Sequence, residues 1–263
     1  MTEPTSPARA RALSFDTAAA HYDSARPGYP PALFDAIEEI TGRSLHGMRV
    51  IDVGAGTGIA TRLLRARGAR VTAVEPGPGM AAQLRRTLPD TPLVLGSGDA
   101  LPLADGSADL ITYAQSWHWT NPARSLPEAL RVLRPGGALA LWWNVADLTV
   151  PWIAAQAARM STEFADGAYG APGDSRRLPD QVPTRERVVS WTRELSVDAH
   201  LDNLSSHSLF LTMRQDEAAR FLARERAELL KAFPDGVLHE EYEVQLTVTF
   251  RPERPSHASN PHA

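Results

Sequence analysis

The chain has 263 residues, 43% of them hydrophobic and 22% charged, which suits a globular protein with a substantial core. It contains no cysteine, so disulfides, thiolate metal sites, iron–sulfur clusters and cysteine nucleophiles are excluded together. A net charge of -4 offers no basic excess for a nucleic-acid backbone, and no apolar run reaches the ~18 residues of a membrane span.

The opening "MTEPTSPARARALSF" is polar and Pro-rich, with no apolar h-region. It reads as a disordered stretch over residues 1–12 of a cytoplasmic protein. The next segment, 13–47, has helical character. Short buried strands are expected at Val50–Val53, Arg70–Glu75, Pro92–Leu95, Ala108–Ala114 and Ala138–Trp143. Helices are expected between them at Ile59–Ala66, Gly79–Thr87 and Ser125–Leu133, entered at Pro78-Gly79-Met80 and Asn121-Pro122 and stopped at Pro135-Gly136-Gly137. This alternation argues a parallel sheet covered on both faces. Beyond Asn144, Pro151–Phe164 has helical spacing and Ala165–Pro183 reads as a loop. Val188–Val197 reads as a strand and Gln215–Phe233 as an amphipathic helix. Glu243–Phe250, "EVQLTVTF", alternates like an antiparallel edge strand, which either pairs across a homodimer or is covered. The tail 251–263 reads as disordered.

The chemistry concentrates in "VIDVGAGTG", Val50 to Gly58. Gly54, Gly56 and Gly58 form a tight turn between strand and helix, where free N–H groups and a helix dipole can meet a ligand. Glu75 ends the next strand about 20 residues later, where a carboxylate binds both hydroxyls of a ribose. These features fit a dinucleotide and S-adenosylmethionine alike. The spacing G-x-G-x-G departs from the dinucleotide fingerprint G-x-G-x-x-G. Asp52, just before the turn, would crowd a pyrophosphate; it suits an ammonium group or braces the loop. Asp99 follows a strand and could accept from the exocyclic amine of adenine.

Taken in order, "VIDVGAGTG", Glu75, "GDALPL", "ADLITYAQSWHW" and "ALRVLRPGGALALWW" resemble class I S-adenosylmethionine-dependent methyltransferases of the type 11 small-molecule group. "FDTAAAHYDSARPGYP" and "QSWHWTNP" resemble a subgroup that includes trans-aconitate methyltransferase-like proteins. The resemblance covers Phe15 to about Asn144 and is thin beyond. It implies one domain over 13–250: N-terminal lid helices at 13–47, a cofactor-binding core at 48–146, and a substrate cover with the last strands at 147–250. The fold implied is α/β, a Rossmann-like doubly wound seven-stranded sheet. It is mostly parallel with an antiparallel C-terminal strand, and pieces of Ala199–Phe233 form a lid.

The same resemblance implies the site residues. Gly54, Ala55 and Gly56 would pack against the methionine and ribose of S-adenosylmethionine. Glu75 would bind the ribose, Pro76 and Met80 would flank the adenine, and Asp99 with Ala100 would meet its amine. Gln115 would face the methyl group, and the N-terminal segment would bring Tyr22 and Arg26 near the cofactor's carboxylate or the substrate.

For methyl transfer the protein's main task is in-line placement, with a base only for acceptors that must lose a proton. His118 is the candidate base or else a packing residue between Trp117 and Trp119, which are candidates to wall the substrate pocket. His21 is a second candidate base. Arg26 could clamp a substrate carboxylate. Ser205, Ser206 and Ser208 beside His207 either cover the pocket or form a solvated loop, and Arg134 reads as structural. No metal site suggests itself; Asp147 near Asn144 is the one hint.

The leading expectation is methylation of an oxygen, carboxylate or hydroxyl, on a small molecule or small peptide, without nucleic-acid or membrane partners. An N- or C-methyltransferase of natural-product biosynthesis, a catalytically idle cofactor-binding protein and an NAD(P)-dependent oxidoreductase are the alternatives. Against the last stands a lysine inventory of one, Lys231, far from the glycine turn.

Overall fold

The computed structural model describes residues 26–164, 176–207, 209–210 and 213–253. Helix α1 (Pro31–Thr41) leads into strand β1 (Arg49–Val53). Helix α2 (Ile59–Ala66), strand β2 (Arg70–Glu75), helix α3 (Pro78–Thr87) and strand β3 (Leu93–Leu95) follow. Strand β4 (Ala108–Ala114) runs into a single 3₁₀ turn at Trp117–Trp119, then helix α4 (Pro122–Val132) and strand β5 (Leu133–Ala146). The C-terminal part comprises α5 (Pro151–Glu163), β6 (Arg185–Ser196), α6 (Val197–Ser205), α7 (Gln215–Ala232) and β7 (Val237–Phe250).

The seven strands form one sheet in the order β3-β2-β1-β4-β5-β7-β6. Neighbours from β3 to β5 pair in parallel, and β7 runs antiparallel to both β5 and β6. Chain order reverses between β1 and β4, so the cleft beyond their carboxyl ends is where such a sheet receives ligands.

Alternation along β5 shows how the sheet is covered. Ala138, Ala140 and Trp142 share a cluster with Leu33, Phe34 and Ile37 of α1 and Leu64 of α2. Leu139, Leu141 and Trp143 point the other way, toward Ala129 and Val132 of α4. Each face is apolar, as a doubly covered parallel sheet requires. A third cluster joins Met160 of α5, Leu201 and Leu204 of α6, Phe221 and Leu229 of α7 and Leu238 of β7. Those three helices therefore form a layer of their own, beyond the end of β5.

The observed boundaries depart from expectation at three places. Pro135-Gly136-Gly137 does not end α4, which stops at Val132; it lies inside β5, where a register shift between Ala108 and Leu110 absorbs the irregularity. Glu243–Phe250 is no edge. It belongs to a longer strand paired on both sides, Ala138 to Phe250 with β5 and Arg185 to Val248 with β6. The alternation reports a strand with one mostly buried face; β6 is the edge and covers it. Finally, α1 is packed into the core through Leu33, Phe34 and Ile37, all at most 2% exposed, and is not part of a lid.

The expected disorder at 1–12, most of the tail, much of the 165–183 loop, and His21, Tyr22 and Ser208 lie outside the described residues.

Candidate active site

The glycine turn is pinned where β1 and β4 diverge. The N–H groups of Gly54 and Ala55 donate to the Val74 carbonyl at 2.8 and 3.2 Å. Gly54 has φ +66°, and a Cβ there would lie 2.5 Å from Cβ of Ser116. Only glycine fits between the two strand ends. Ser116 completes the contact by donating to the Val53 carbonyl at 2.5 Å. Gly56 has φ +57°, but a Cβ there would meet nothing within 4 Å. The turn thus presents bare backbone to open space at its tip, which is what a cradle for a close-fitting ligand needs.

Glu75 ends β2 beside this turn and is buried. Its Oε2 accepts the Gly56 N–H and its Oε1 the Gly77 N–H, each at 2.8 Å. The carboxylate therefore fixes both the glycine turn and the start of α3. Pro76 is exposed, and Met80 is buried in the first turn of α3. Asp99 is half-buried. Its Oδ1 accepts from the Asn121 N–H at 2.8 Å and the Ser125 hydroxyl at 2.5 Å, so it braces the start of α4. Its Oδ2 has no partner among the described residues. Ala100 beside it is exposed.

Asp52 does not reach the cleft. It is fully buried, taking the Thr61 hydroxyl at 2.6 Å on one oxygen and the Thr112 hydroxyl at 2.8 Å on the other. It ties β1 to α2 and β4, which corrects the expectation of a cofactor contact. The bracing alternative holds in outline, with two hydroxyls as donors in addition to backbone. Burial pushes its carboxyl up from the usual range, against the pull of the two hydroxyls.

Gln115 follows β4 with φ +54°, the single positive φ at a non-glycine position among the described residues. Such a conformation costs a non-glycine residue energy and persists where the surrounding structure holds it. Its Nε2 donates to the Tyr29 hydroxyl at 3.4 Å. Nearby, Asn144 at the end of β5 donates to the Gly28 carbonyl at 3.0 Å and accepts from the Trp191 indole at 3.1 Å. Arg26 donates to the Ser206 carbonyl at 3.4 Å. Residues 26–29 thus lie as a strap joining the ends of β4 and β5 to α6. Tyr29, Asn144 and Trp191 escaped sequence reasoning because no spacing marks them; only Arg26 was a candidate.

The "QSWHW" residues part company. Trp117 is 0% exposed and packs edge-on against Tyr113 at 4.9 Å, inside the core. It is not a pocket wall, because its 3₁₀ turn points it back under the sheet end. Trp119 and His118 are half-buried, with ring centroids 4.5 Å apart. Nδ1 of His118 accepts from the Trp143 indole at 3.4 Å, which leaves the neutral ring its hydrogen on Nε2. Desolvation, with the Arg176 charge as a second cause, lowers the His118 pKa to about 4. At neutral pH the ring offers a donor and is a weak base. Ser205 and Ser206 bond the carbonyls of Asp202 and Asn203, closing the end of α6. Arg134 pairs with Asp109 at 2.6 Å, at the opposite end of β4 from the cleft.

Comparison with known proteins agrees with this architecture. The family model described as "Methyltransferase domain" matches residues 51–141. An uncharacterized methyltransferase of Mycobacterium tuberculosis is 39% identical over 231 residues, covering 86% of this chain and 89% of its own length. The chain belongs to the methyltransferase family. A demethylmenaquinone methyltransferase of Parafrankia is 32% identical over 220 residues, 69% of this chain and 86% of the relative. A solved candidate type II methyltransferase from Anaeromyxobacter dehalogenans superposes with a TM-score of 0.71 at 25% identity, covering 87% of this chain and 99% of its own. The enzyme is thus an S-adenosylmethionine-dependent methyltransferase built on a Rossmann-like sheet. Among the described residues, no helix is long and apolar enough to cross a membrane.

Proposed function

We propose that this methyltransferase moves a methyl group onto an oxygen of a small-molecule or small-peptide acceptor, with a carboxylate as the leading acceptor group. S-adenosylmethionine supplies a methyl already activated on a sulfonium. In this reading Gly54, Ala55 and Gly56 line the cofactor with backbone, and a bare Gly56 facing open space fits that role. Glu75 receives the ribose hydroxyls, since a carboxylate oxygen accepts more than one hydrogen bond. Asp99 offers Oδ2 to the adenine amine, beside Ala100, with Pro76 and Met80 along the ring. Gln115 and the Tyr29 hydroxyl face the methyl group across the cleft.

The observation that carries the acceptor reading is His118. A ring held neutral, with Nδ1 committed to Trp143, cannot take a proton from an alcohol efficiently. A carboxylate arrives ionised and needs only placement and exclusion of water. His118 then orients the acceptor by donating from Nε2. The trans-aconitate-like subgroup fits such an acceptor. The Parafrankia relative's name denotes a different acceptor, and C-methylation is the competing reading.

Calorimetric titration with S-adenosylmethionine, S-adenosylhomocysteine and NADH in parallel tests the cofactor. Turnover on matched carboxylic acid and alcohol acceptors tests the oxygen. Binding of the first two ligands with transfer to acids supports the proposal; transfer to alcohols or carbon only overturns its acceptor part.

A further inference from the structure

Among the described residues, most arginines near carboxylates are paired with them, as Arg159 is with Glu225 at 2.6 Å and Arg131 with Asp105 at 2.6 Å. Arg176 is different. Among the described residues its Nε is buried without a hydrogen-bond partner, and its guanidinium has no carboxylate within ion-pair distance. Arginine presents five donors in a fixed fork, so a buried N–H left unmade is costly. Desolvation is the sole cause acting on this group, and it lowers its pKa. No counter-charge faces it among the described residues.

Its position says where the counter-charge would come from. Leu178, two residues on, is 7% exposed and packs in the same cluster as Trp143 and Tyr113. Trp143 is the indole that fixes His118. The Arg176 charge also acts on His118, as the second cause of its lowered pKa. Arg176 therefore belongs to the segment that packs into the Trp143–Tyr113 cluster, and its charge reaches the half-buried imidazole of His118, whose Nε2–H faces away from Trp143. With Nδ1 of His118 taken by Trp143, the groups left to meet a ligand, the guanidinium and the Nε2–H, are both donors.

We propose that Arg176, with the Nε2–H of His118 beside it, binds an anionic group of the methyl acceptor, a carboxylate or phosphate distinct from the oxygen that takes the methyl. An oxygen clamped by a guanidinium would be a poorer nucleophile, so the clamp serves recognition. Arg176 thereby sets specificity for anionic acceptors over neutral ones. This rests on the methyltransferase reading of the cleft, but the anion site can be probed without turnover.

The test uses the full chain saturated with S-adenosylhomocysteine and three probes: succinate, inorganic phosphate and the neutral succinamide. Binding is followed by calorimetry for wild type, R176Q, R176K and R124Q, the last an exposed arginine on α4. Wild type and R124Q should bind one anion and not succinamide. R176Q should weaken that binding at least tenfold, R176K should restore part of it, and all should keep the same affinity for S-adenosylhomocysteine. Preference between succinate and phosphate identifies the anion class. Equal anion binding by wild type and R176Q, or no anion binding by wild type, overturns the proposal. Failure to bind S-adenosylhomocysteine would instead strike the cofactor reading, and Arg176-dependent anion binding would survive it.

Discussion

Oε2 of Glu75 accepts the backbone N–H of Gly56 at 2.8 Å, so the acid at the end of β2 holds the tip of the glycine turn that follows β1. The carboxylate proposed to receive a ribose also shapes the turn beneath it. Substitution should therefore act twice. Glu75→Gln keeps one acceptor oxygen and should weaken binding of S-adenosylmethionine about tenfold, the worth of one charge-assisted hydrogen bond. Glu75→Ala should cost more, because the Gly56 and Gly77 N–H groups lose their partner as well. Calorimetry on both variants checks the order; equal affinity for wild type and Glu75→Ala would remove Glu75 from the site.

Gln115 should show a division between stability and activity. Its φ of +54° costs a non-glycine residue about 1 kcal/mol or more. Gln115→Gly relieves that cost and should leave urea stability equal or higher. The same change removes the amide that meets Tyr29 and should lower kcat at least tenfold. Stability and turnover falling together would mean that the side chain only supports the fold.

Asp52 is a matter of stability alone. Burial raises its folded pKa, so its contribution is complete below the unfolded value, near 3.9, and is lost as pH rises through the folded one. Asp52→Asn retains partners for Thr61 and Thr112 without the charge. Relative to wild type it should gain stability as pH rises from about 4 to 8. Asp52→Ala leaves two buried hydroxyls unpaired and should lose roughly 2–4 kcal/mol. Denaturant midpoints at the two pH values decide, and Asn behaving like Ala would show that the charge is needed.

His118 makes the opposite pH prediction. Its folded pKa of about 4 lies below the unfolded value near 6.5. The neutral ring's contribution is present above 6.5 and is lost as pH falls toward 4, amounting to about 2 kcal/mol by pH 5. His207 is shifted in the same direction by desolvation and by the Arg26 and His200 charges. The urea midpoint should therefore drop between pH 7 and 5, and less steeply in His118→Phe. Correspondingly, kcat should show no inflection near pH 6.5 from this ring; one that vanishes in His118→Phe would restore it as a general base.

The order of strands and helices from β1 to α4 was legible because each fully buried parallel strand is a short apolar run punctuated by glycine or proline. The placement of the glycine turn and of Glu75 beside it was legible for a related reason: it depends on backbone conformation and spacing along one βαβ unit. Asp52 and Trp117 were misplaced because sequence adjacency to a ligand turn says nothing of direction. One residue along a strand, or one step in a 3₁₀ turn, exchanges cleft for core. Glu243–Phe250 misled in the same way, since alternation records one buried face and not the number of neighbouring strands.

What the chain by itself determined was therefore the periodicity, the turn chemistry and the family likeness, all local in sequence. What only tertiary structure decided was which distant groups meet. Asn144 joins Gly28 to Trp191. His118 surrenders Nδ1 to Trp143. Arg176 keeps a buried Nε without a partner among the described residues. Hydrogen bonding and desolvation act over a few ångströms in space, whatever the separation along the chain, and these contacts set the chemistry that the cleft can perform.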